Sequence, residues 1–578
     1  MKFIRTIVTV FAFTTMASAN ELIDHIQQFR ADEQSLERKY PIAYSPTRAK
    51  RMSEFYESEL RRIPKKEFAK LPLDAQVDVF LLDNYTRRQI HELKVSQEQL
   101  ASSAPLLAHL PKIVSLEEDR RKMAGIEPAK AAAELNQLSK EIKERHDSVV
   151  RFVEGKPQAK EPEDLRKFFD EKDPRKKRTF AYRAANIGNQ LAKHLEDWYE
   201  FYHGYDPLFT WWCEAPYREV KERLTNYHKF VRERIAGVTP DDRTTIIGYP
   251  IGRDALLAEL EFERIAYTPE ELFAIAEREY EWCLKEIKSA SAQLGFGDDW
   301  QKAIEHVKTQ YVEPGKQPEM IREMAWEAIR WLEKNDMLTV PELAKETWRM
   351  DMLSPQAQLQ SPFFLGGESI LVSFPTNEMG HDAKMMSMRG NNRYFSRAVV
   401  HHELIPGHHL QQFMNARYAP YRELFYTPFW TEGWALYWEF RLYDKGFAAK
   451  PEEKVGMMFW RMHRCIRILF SLGFHLGKLT PEECIDMLVE RVGHERDNAA
   501  AEVRRSFAGN YGPLYQIAYM VGGLQIQSLH KDLVSSKKMT EQQFHDTILK
   551  NGSIPIEAVR SILTKTPPPL DAKPNWKF

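Results

Sequence analysis

The run Val399-Val400-His401-His402-Glu403-Leu404-Ile405-Pro406-Gly407-His408-His409-Leu410-Gln411 constrains this chain more than any other. Four of its 18 histidines stand here, beside one carboxylate and between apolar flanks. Imidazole is the commonest metal-binding side chain, and zinc accepts His nitrogens and carboxylate oxygens. A carboxylate next to a ligand His can act as general base on water activated by the metal, as in the helical H-E-x-x-H arrangement. Here, however, the fourth residue after His402 is Pro406. On a straight helix, residues four apart differ by about 40° around the axis, and residues six apart, such as His402 and His408, by roughly 240°. Two nitrogens on one zinc, each at about 2.0–2.1 Å, lie no more than about 4 Å apart. An unbroken helix therefore cannot bring His402 and His408 to one ion. Pro406 removes an interior hydrogen bond and Gly407 relaxes the backbone, so a bulge or break is expected that rotates His408 inward. The rival reading is a Pro-kinked surface helix with solvated histidines; four imidazoles with an adjoining Glu and apolar flanks weigh against it.

The 578 residues allow one large or several medium domains, and 43% hydrophobic content with 12% aromatics is ample for a core. Residues 1–19 read differently from the rest. Lys2 and Arg5 form a short positive region, Ile7 to Met16 is largely apolar, and Ala17-Ser18-Ala19 is a small-residue cleavage site. This is the pattern of a cleavable secretory signal, too short for a membrane span, and it points to a periplasmic or secreted protein. No Cys follows the cleavage site, which argues against a lipid anchor. The full chain carries a formal charge of −1, and losing Lys2 and Arg5 makes it slightly more acidic. That balance gives no support for nucleic-acid binding, and the basic run Arg175-Lys176-Lys177-Arg178 sits among acids as a solvated face. Cys213, Cys283, Cys465 and Cys484 are too few and too spread for a disulfide scaffold, and their spacing selects no pairing.

Most of the chain reads as helix. Thr268-Pro269-Glu270-Glu271 and Thr480-Pro481-Glu482-Glu483 each place an N-cap Thr, a Pro at the first helical position and a Glu three residues on. Gly295 and Gly493 are the expected stops. Thr540-Glu541-Gln542-Gln543 opens another helix. Residues 361–376, rich in strand formers and bounded by Gly and Pro, suggest a short hairpin or edge strand just before the histidines. Such an edge could bind an extended peptide, or be structural only. No later stretch reaches transmembrane length, so stable membrane insertion is not expected. No long linker marks a boundary. The expectation is a mainly α fold: one helical domain over 20–578, with a charged helical part at 20–250 and the metal site in 251–578.

A zinc hydrolase needs a third protein ligand and an open position for water. The best candidate is Glu432 in Trp430-Thr431-Glu432-Gly433-Trp434-Ala435-Leu436-Tyr437, an acid in an apolar, aromatic setting where an unpaired charge is costly. Thr431 could cap the helix start and Gly433 allows close backbone approach. Glu439, seven residues on and nearly on the same helix face, could orient a ligand His. Near the C-terminus Tyr511, Tyr515 and Tyr519 recur at spacings of four; a tyrosine hydroxyl can stabilise the oxyanion formed when water attacks a carbonyl, and the same spacing suits plain helix packing.

The segment His402-Glu403-Leu404-Ile405-Pro406-Gly407-His408-His409-Leu410-Gln411 resembles the H-E-x-x-P-G-H-H-x-Q signature of the bacterial domain-of-unknown-function family 885, which is grouped with the gluzincin-type helical zinc metallopeptidases. Glu432-Gly433-Trp434-Ala435-Leu436-Tyr437 resembles its E-G-W-A-x-Y motif. Pro513 to Gly522 and Phe544-His545-Asp546, with Gly552 and Pro555, resemble its C-terminal elements, although Leu514, Tyr515 and Gln516 replace the Gly, Gln and Ala common there. The resemblance implies a mainly helical zinc peptidase with a deep cleft and names no substrate. On this reading the protein is an exported peptidase acting on peptides with one Zn2+ ion. His402, His408 and Glu432 hold the metal, Glu403 activates water and Tyr519 stabilises the oxyanion. His402 is taken over His401 because Glu403 follows it directly, and His408 over His409 on the family pattern. Mn, Co and Fe accept the same ligand types. The alternatives are a non-peptide amide hydrolase of the cell envelope and a metal-binding or scaffolding protein without turnover; a base at Glu403 has no use in the latter.

Overall fold

The computed structural model describes residues 2–240, 242, 245–358, 363–507 and 511–578. Helices dominate, and their starts follow one local rule. Ser45, Asp173, Asp206, Thr268, Thr427 and Thr480 each accept a hydrogen bond from the first turn and precede a proline. The side chain satisfies an orphan N–H, and Pro occupies a position with no helical N–H to lose. The three starts expected at Thr268, Thr480 and Thr540 are present, each with a complete capping box. Gly493 ends its helix in the left-handed conformation at φ 86°, and Gly295 follows its own at φ 88°.

The chain partitions into two compact units. One comprises residues 28–63 and 86–249. Its core is built by the helices Pro128–Val153, Pro174–Tyr202 and Pro207–Phe230, whose apolar positions Leu135, Leu138, Ile142, Leu191, Leu195, Leu224 and Tyr227 are fully buried. Each such side chain contributes about 1.5–3 kcal/mol on burial. Within this core the ring nitrogens of His109 and His228 meet at 2.9 Å. A Cβ on Gly188 would fall 2.1 Å from the His228 ring, so the glycine makes room for it.

The other unit comprises residues 1–27, 64–85 and 250–578. Its elements are α1 (Pro269–Gln293), β1 (Arg349–Met352), β2 (Ser369–Val372), α2 (Arg393–Glu403), α3 (His408–Tyr418), α4 (Pro428–Asp444), α5 (Pro451–His475), α6 (Arg496–Phe507), α7 (Tyr515–His530) and α8 (Glu541–Lys550), with shorter helices between them. Helix α5 is buried on every face from Val455 to His475, its Arg461, His463, Arg464 and Arg467 included, and α1, α2 and α7 pack against it. Helices α4 and α7 cross at Gly433 and Gly522, where a Cβ on Gly522 would meet the Phe429 carbonyl at 1.9 Å. Strands β1 and β2 pair in parallel, Arg349 opposite Ser369 through Met352 opposite Val372. An antiparallel bridge between Leu365 and Leu371 folds the preceding segment back on β2. The strand expected within 361–376 is therefore present as an edge element, and residues 361 and 362 lie outside the described residues. Among the described residues no helix is long and apolar enough to cross a membrane. All four cysteines are free, buried thiols.

Burial holds many histidines neutral. It lowers the pKa of His109, His494 and His545 to about 3 and that of His475 to about 4. In the unfolded chain each titrates near 6.5. A depressed His binds its proton only on unfolding, so stability is full above about pH 6.5 and is lost as pH falls toward the folded pKa. His402 and His408 are shifted the other way, but the depressed groups outnumber them. The urea midpoint is expected to fall between pH 7 and pH 5; an unchanged or rising midpoint would contradict this reading.

Candidate metal centre

Helix α2 starts at Asn392, whose side chain accepts from the Tyr394 and Phe395 N–H groups, and carries His401, His402 and Glu403 in its last turn. The expected break is a full interruption. Leu404 leaves the helix at φ −108°, ψ −105°, the Ile405–Pro406 peptide is cis, and α3 begins at His408. Gly407 is required by proximity: a Cβ there would lie 1.7 Å from the His402 carbonyl oxygen. The Trp434 indole N–H donates to the Pro406 carbonyl at 2.8 Å, clamping the junction to α4. The imidazoles of His402 and His408 thus come from two separate helices and stand perpendicular at 89°, ring centres 4.9 Å apart.

Glu432 is delivered by α4. That helix is capped by Thr427, not Thr431: with Pro428 in its first turn it starts one turn earlier than the sequence reading placed it, and the Thr431 carbonyl instead accepts from Gln411 Nε2 at 2.8 Å. Glu432 Oε2 lies 3.5 Å from His402 Nε2 and 3.3 Å from His408 Nε2. Two donors about 2.0–2.1 Å from one zinc at a tetrahedral angle are roughly 3.4 Å apart. Glu432 Oε2 is buried and has no hydrogen bond among the described residues, while its Oε1 accepts from the Tyr515 hydroxyl at 2.5 Å. The far ring nitrogens are engaged as well: His402 Nδ1 with Glu439 Oε1 at 2.7 Å and His408 Nδ1 with Gln411 Oε1 at 2.9 Å. In the neutral imidazoles those bonds keep the proton on Nδ1, which leaves Nε2 of each ring available to a metal beside Glu432 Oε2. The residues present fit a metal ion.

Glu403 flanks this group. Its Oε2 lies 3.8 Å from His408 Nε2, and His402, Glu403 and His408 offer donor atoms within 4.8 Å of one another. Glu432 Oε2 lies nearer to His408 and reaches both imidazoles. A Cβ on Gly366 would fall 2.0 Å from Glu403 Oε2, so the backbone ahead of β2 rests directly on this carboxylate. Burial raises the Glu403 pKa, partly opposed by His402 and His408. Burial acts to lower the two ligand-type histidines, but the Glu432 carboxylate outweighs it, aided by Glu439 at His402, and His408 rises to about 9. For Glu432, burial is overcome by the same two imidazoles and the pKa falls well below the usual carboxylate range.

His401 and His409 do not join the group. His401 is buried with neither ring nitrogen hydrogen-bonded, its ring set edge-on to Phe447 at 5.9 Å. His409 places its ring nitrogens 3.1 and 3.0 Å from the carbonyls of Glu368 and Ala344. Tyr519 stacks on His402 at 6.1 Å, but its hydroxyl reaches Tyr515 at 3.2 Å and not Glu432; of the three tyrosines, Tyr515 bonds the carboxylate. Sequence reasoning also missed Arg464, Arg467, Arg505 and Glu502, which line the same cavity of about 270 Å³. Its signal was present: Arg461, Arg464 and Arg467 recur every third residue along α5.

The chain belongs to the family described as "Bacterial protein of unknown function (DUF885)", which matches residues 30–563. Among solved structures it is similar to a candidate lipoprotein of unknown function from Shewanella oneidensis (TM-score 0.66, 14% identity, covering 94% of this chain and 99% of that one). It is also similar to a candidate lipoprotein from Colwellia psychrerythraea (TM-score 0.57, 15% identity, 95% and 99% covered). Both likenesses concern the fold. No curated protein matches the chain.

Gly407→Ala forces its Cβ against the His402 backbone and is expected to cost about 1–3 kcal/mol or more, the range of overpacking. Gly125→Ala, which meets open space, is expected to stay within about 0.5 kcal/mol. Urea unfolding of both variants checks this; equal midpoints would show that the junction tolerates a side chain.

Proposed function

We propose that the protein is an exported zinc-dependent peptidase of the gluzincin type, with His402, His408 and Glu432 as the metal ligands. The observation that carries the reading is the buried Glu432 Oε2, free of hydrogen bonds among the described residues and near tetrahedral ligand spacing from both His402 Nε2 and His408 Nε2. A zinc ion bound by these residues would supply Lewis acidity toward a peptide carbonyl and toward water. Glu403 stands beside the ligands with a raised pKa, which suits a group that takes a proton from water and returns it to the leaving nitrogen near neutral pH. Glu439 and Gln411 hold the imidazoles in orientation. Tyr515 holds the Glu432 carboxylate through Oε1. Tyr519, one hydroxyl farther out, is the donor assigned to the oxyanion, and export rests on the residue pattern of positions 1–19.

Glu403→Gln keeps the size and a hydrogen-bonding group but cannot accept a proton, so it is expected to retain one metal ion per chain and lose nearly all hydrolysis of a peptide library. Glu432→Ala, His402→Ala and His408→Ala are expected to lose the metal, whereas His401→Ala and His409→Ala keep it. Tyr519→Phe is expected to keep metal and slow turnover by about 10²–10³, the usual cost of one oxyanion donor. Metal stoichiometry and hydrolysis on the same preparations check all of these. Parental hydrolysis by Glu403→Gln would exclude the mechanism whatever the metal content.

A further inference from the structure

The cavity that holds Glu403 and Glu432 is also lined by three guanidiniums, Arg464 and Arg467 from α5 and Arg505 from α6. Arg467 is 2% exposed and Arg464 6%. Their acidic partners are fewer than they are. Glu502 divides its two oxygens between Arg467 at 2.8 Å and Arg505 at 2.6 Å, and its Oε1 also accepts from Gln516 at 3.0 Å. Arg464 forms its one ion pair among the described residues with Glu439, at 3.8 Å, a carboxylate that already serves His402, and it also feels the charges of Glu403 and Glu502. Arg467 Nε and Nη1, Arg464 Nε and Arg505 Nε are cut off from solvent with no hydrogen bond among the described residues, as are the Nε atoms of several arginines outside the cavity. A guanidinium cannot shed its proton to relieve this. Its forked donors match the two oxygens of a carboxylate better than any other small group.

The position of these groups bears on the proposed chemistry. The guanidinium carbons of Arg464 and Arg467 both lie 4.5 Å from the centre of the Tyr519 ring, and the same ring stacks on the His402 imidazole at 6.1 Å. One aromatic side chain therefore links the arginines to the metal ligands. Extended peptide advances roughly 3.3–3.6 Å per residue, so the gap corresponds to at most about three residues, and a cavity of about 270 Å³ has room for a short chain end.

We propose that Arg464, Arg467 and Arg505 bind the free α-carboxylate at the C-terminus of a peptide, so that the enzyme removes one to three residues from that end. This rests on the peptidase reading for the cleavage and on the arginine cluster alone for the binding. The chemistry recognised is a carboxylate; an acidic side chain is the other source, and the arms of the test separate the two.

The full-length zinc-loaded Glu403→Gln protein is titrated calorimetrically with acetyl-Ala-Ala-Ala-Phe as the free acid, as its C-terminal amide, and with acetyl-Ala-Ala-Ala-Glu amide. The free acid is expected to bind at least tenfold more tightly than either amide. Wild-type enzyme is expected to cut the free acid within three residues of its end, and to show for the amide a KM raised at least tenfold with little change in kcat. Arg467→Gln is expected to erase the preference while keeping its metal; since Arg467 is buried against Glu502, the comparison of substrates on unaltered residues stands even where that variant fails to fold. Equal binding of acid and amide, no binding of any of the three, or tight binding of the glutamyl amide would each overturn the proposal. If the free acid is preferred in binding but no peptide is cut, the carboxylate site stands and the peptidase reading falls. Cleavage without preference for the free acid leaves the peptidase and removes the carboxylate site.

Discussion

The His402 carbonyl pressing on the α-carbon of Gly407 is the contact on which the site depends. Any side chain at Gly407 would enter that oxygen's space, and without the close approach α2 could not stop at Glu403 and restart as α3 at His408. Because the helix stops, two imidazoles that a continuous helix would hold roughly 240° apart stand with ring centres 4.9 Å apart. The Trp434 indole bonded to the Pro406 carbonyl ties the junction to α4, the helix that brings Glu432. That helix approaches closely enough only because Gly433 and Gly522 let α4 and α7 cross backbone to backbone.

Bringing this many polar groups into a core dense with tryptophan carries a cost that pairing must offset. Isolated buried charge is expensive, and paired, hydrogen-bonded charge is tolerated. The cluster obeys that rule nearly everywhere: Glu439 takes the far nitrogen of His402, Gln411 that of His408, and Tyr515 one oxygen of Glu432. Both His401 nitrogens and Glu439 Oε2 are exceptions, and further ones line the cavity. Glu432 Oε2 and the spare N–H groups of Arg464, Arg467 and Arg505 have no hydrogen bond among the described residues.

Much of this was legible in the residues, and the limits are physical. The capping boxes at Thr268, Thr480 and Thr540 are local signals, readable because the cap bonds join residues three apart. The break at Pro406-Gly407 was readable because Pro lacks an N–H. Glu439 could be placed near a histidine from helical periodicity. Beyond these, spacing alone could not act. It placed the cap of α4 at Thr431 when Thr427 and Pro428 supply it, and it had no means of ranking Tyr515 against Tyr519, since their difference lies in the distance from α7 to Glu432 across a tertiary contact. The arginines of α5 were visible as a repeat, but only the fold brings Arg505 and Glu502 of α6 opposite them.

The central claim is that one metal ion is held between α2, α3 and α4. The most direct measurement is an anomalous difference map at the zinc edge from crystals of the full-length protein prepared with zinc. One strong peak is expected about 2.0–2.2 Å from His402 Nε2, His408 Nε2 and Glu432 Oε2, with Glu403 adjacent but outside bonding distance. A peak held by His401 or His409, a peak bonded to Glu403 in place of Glu432, or no peak between these helices would contradict it.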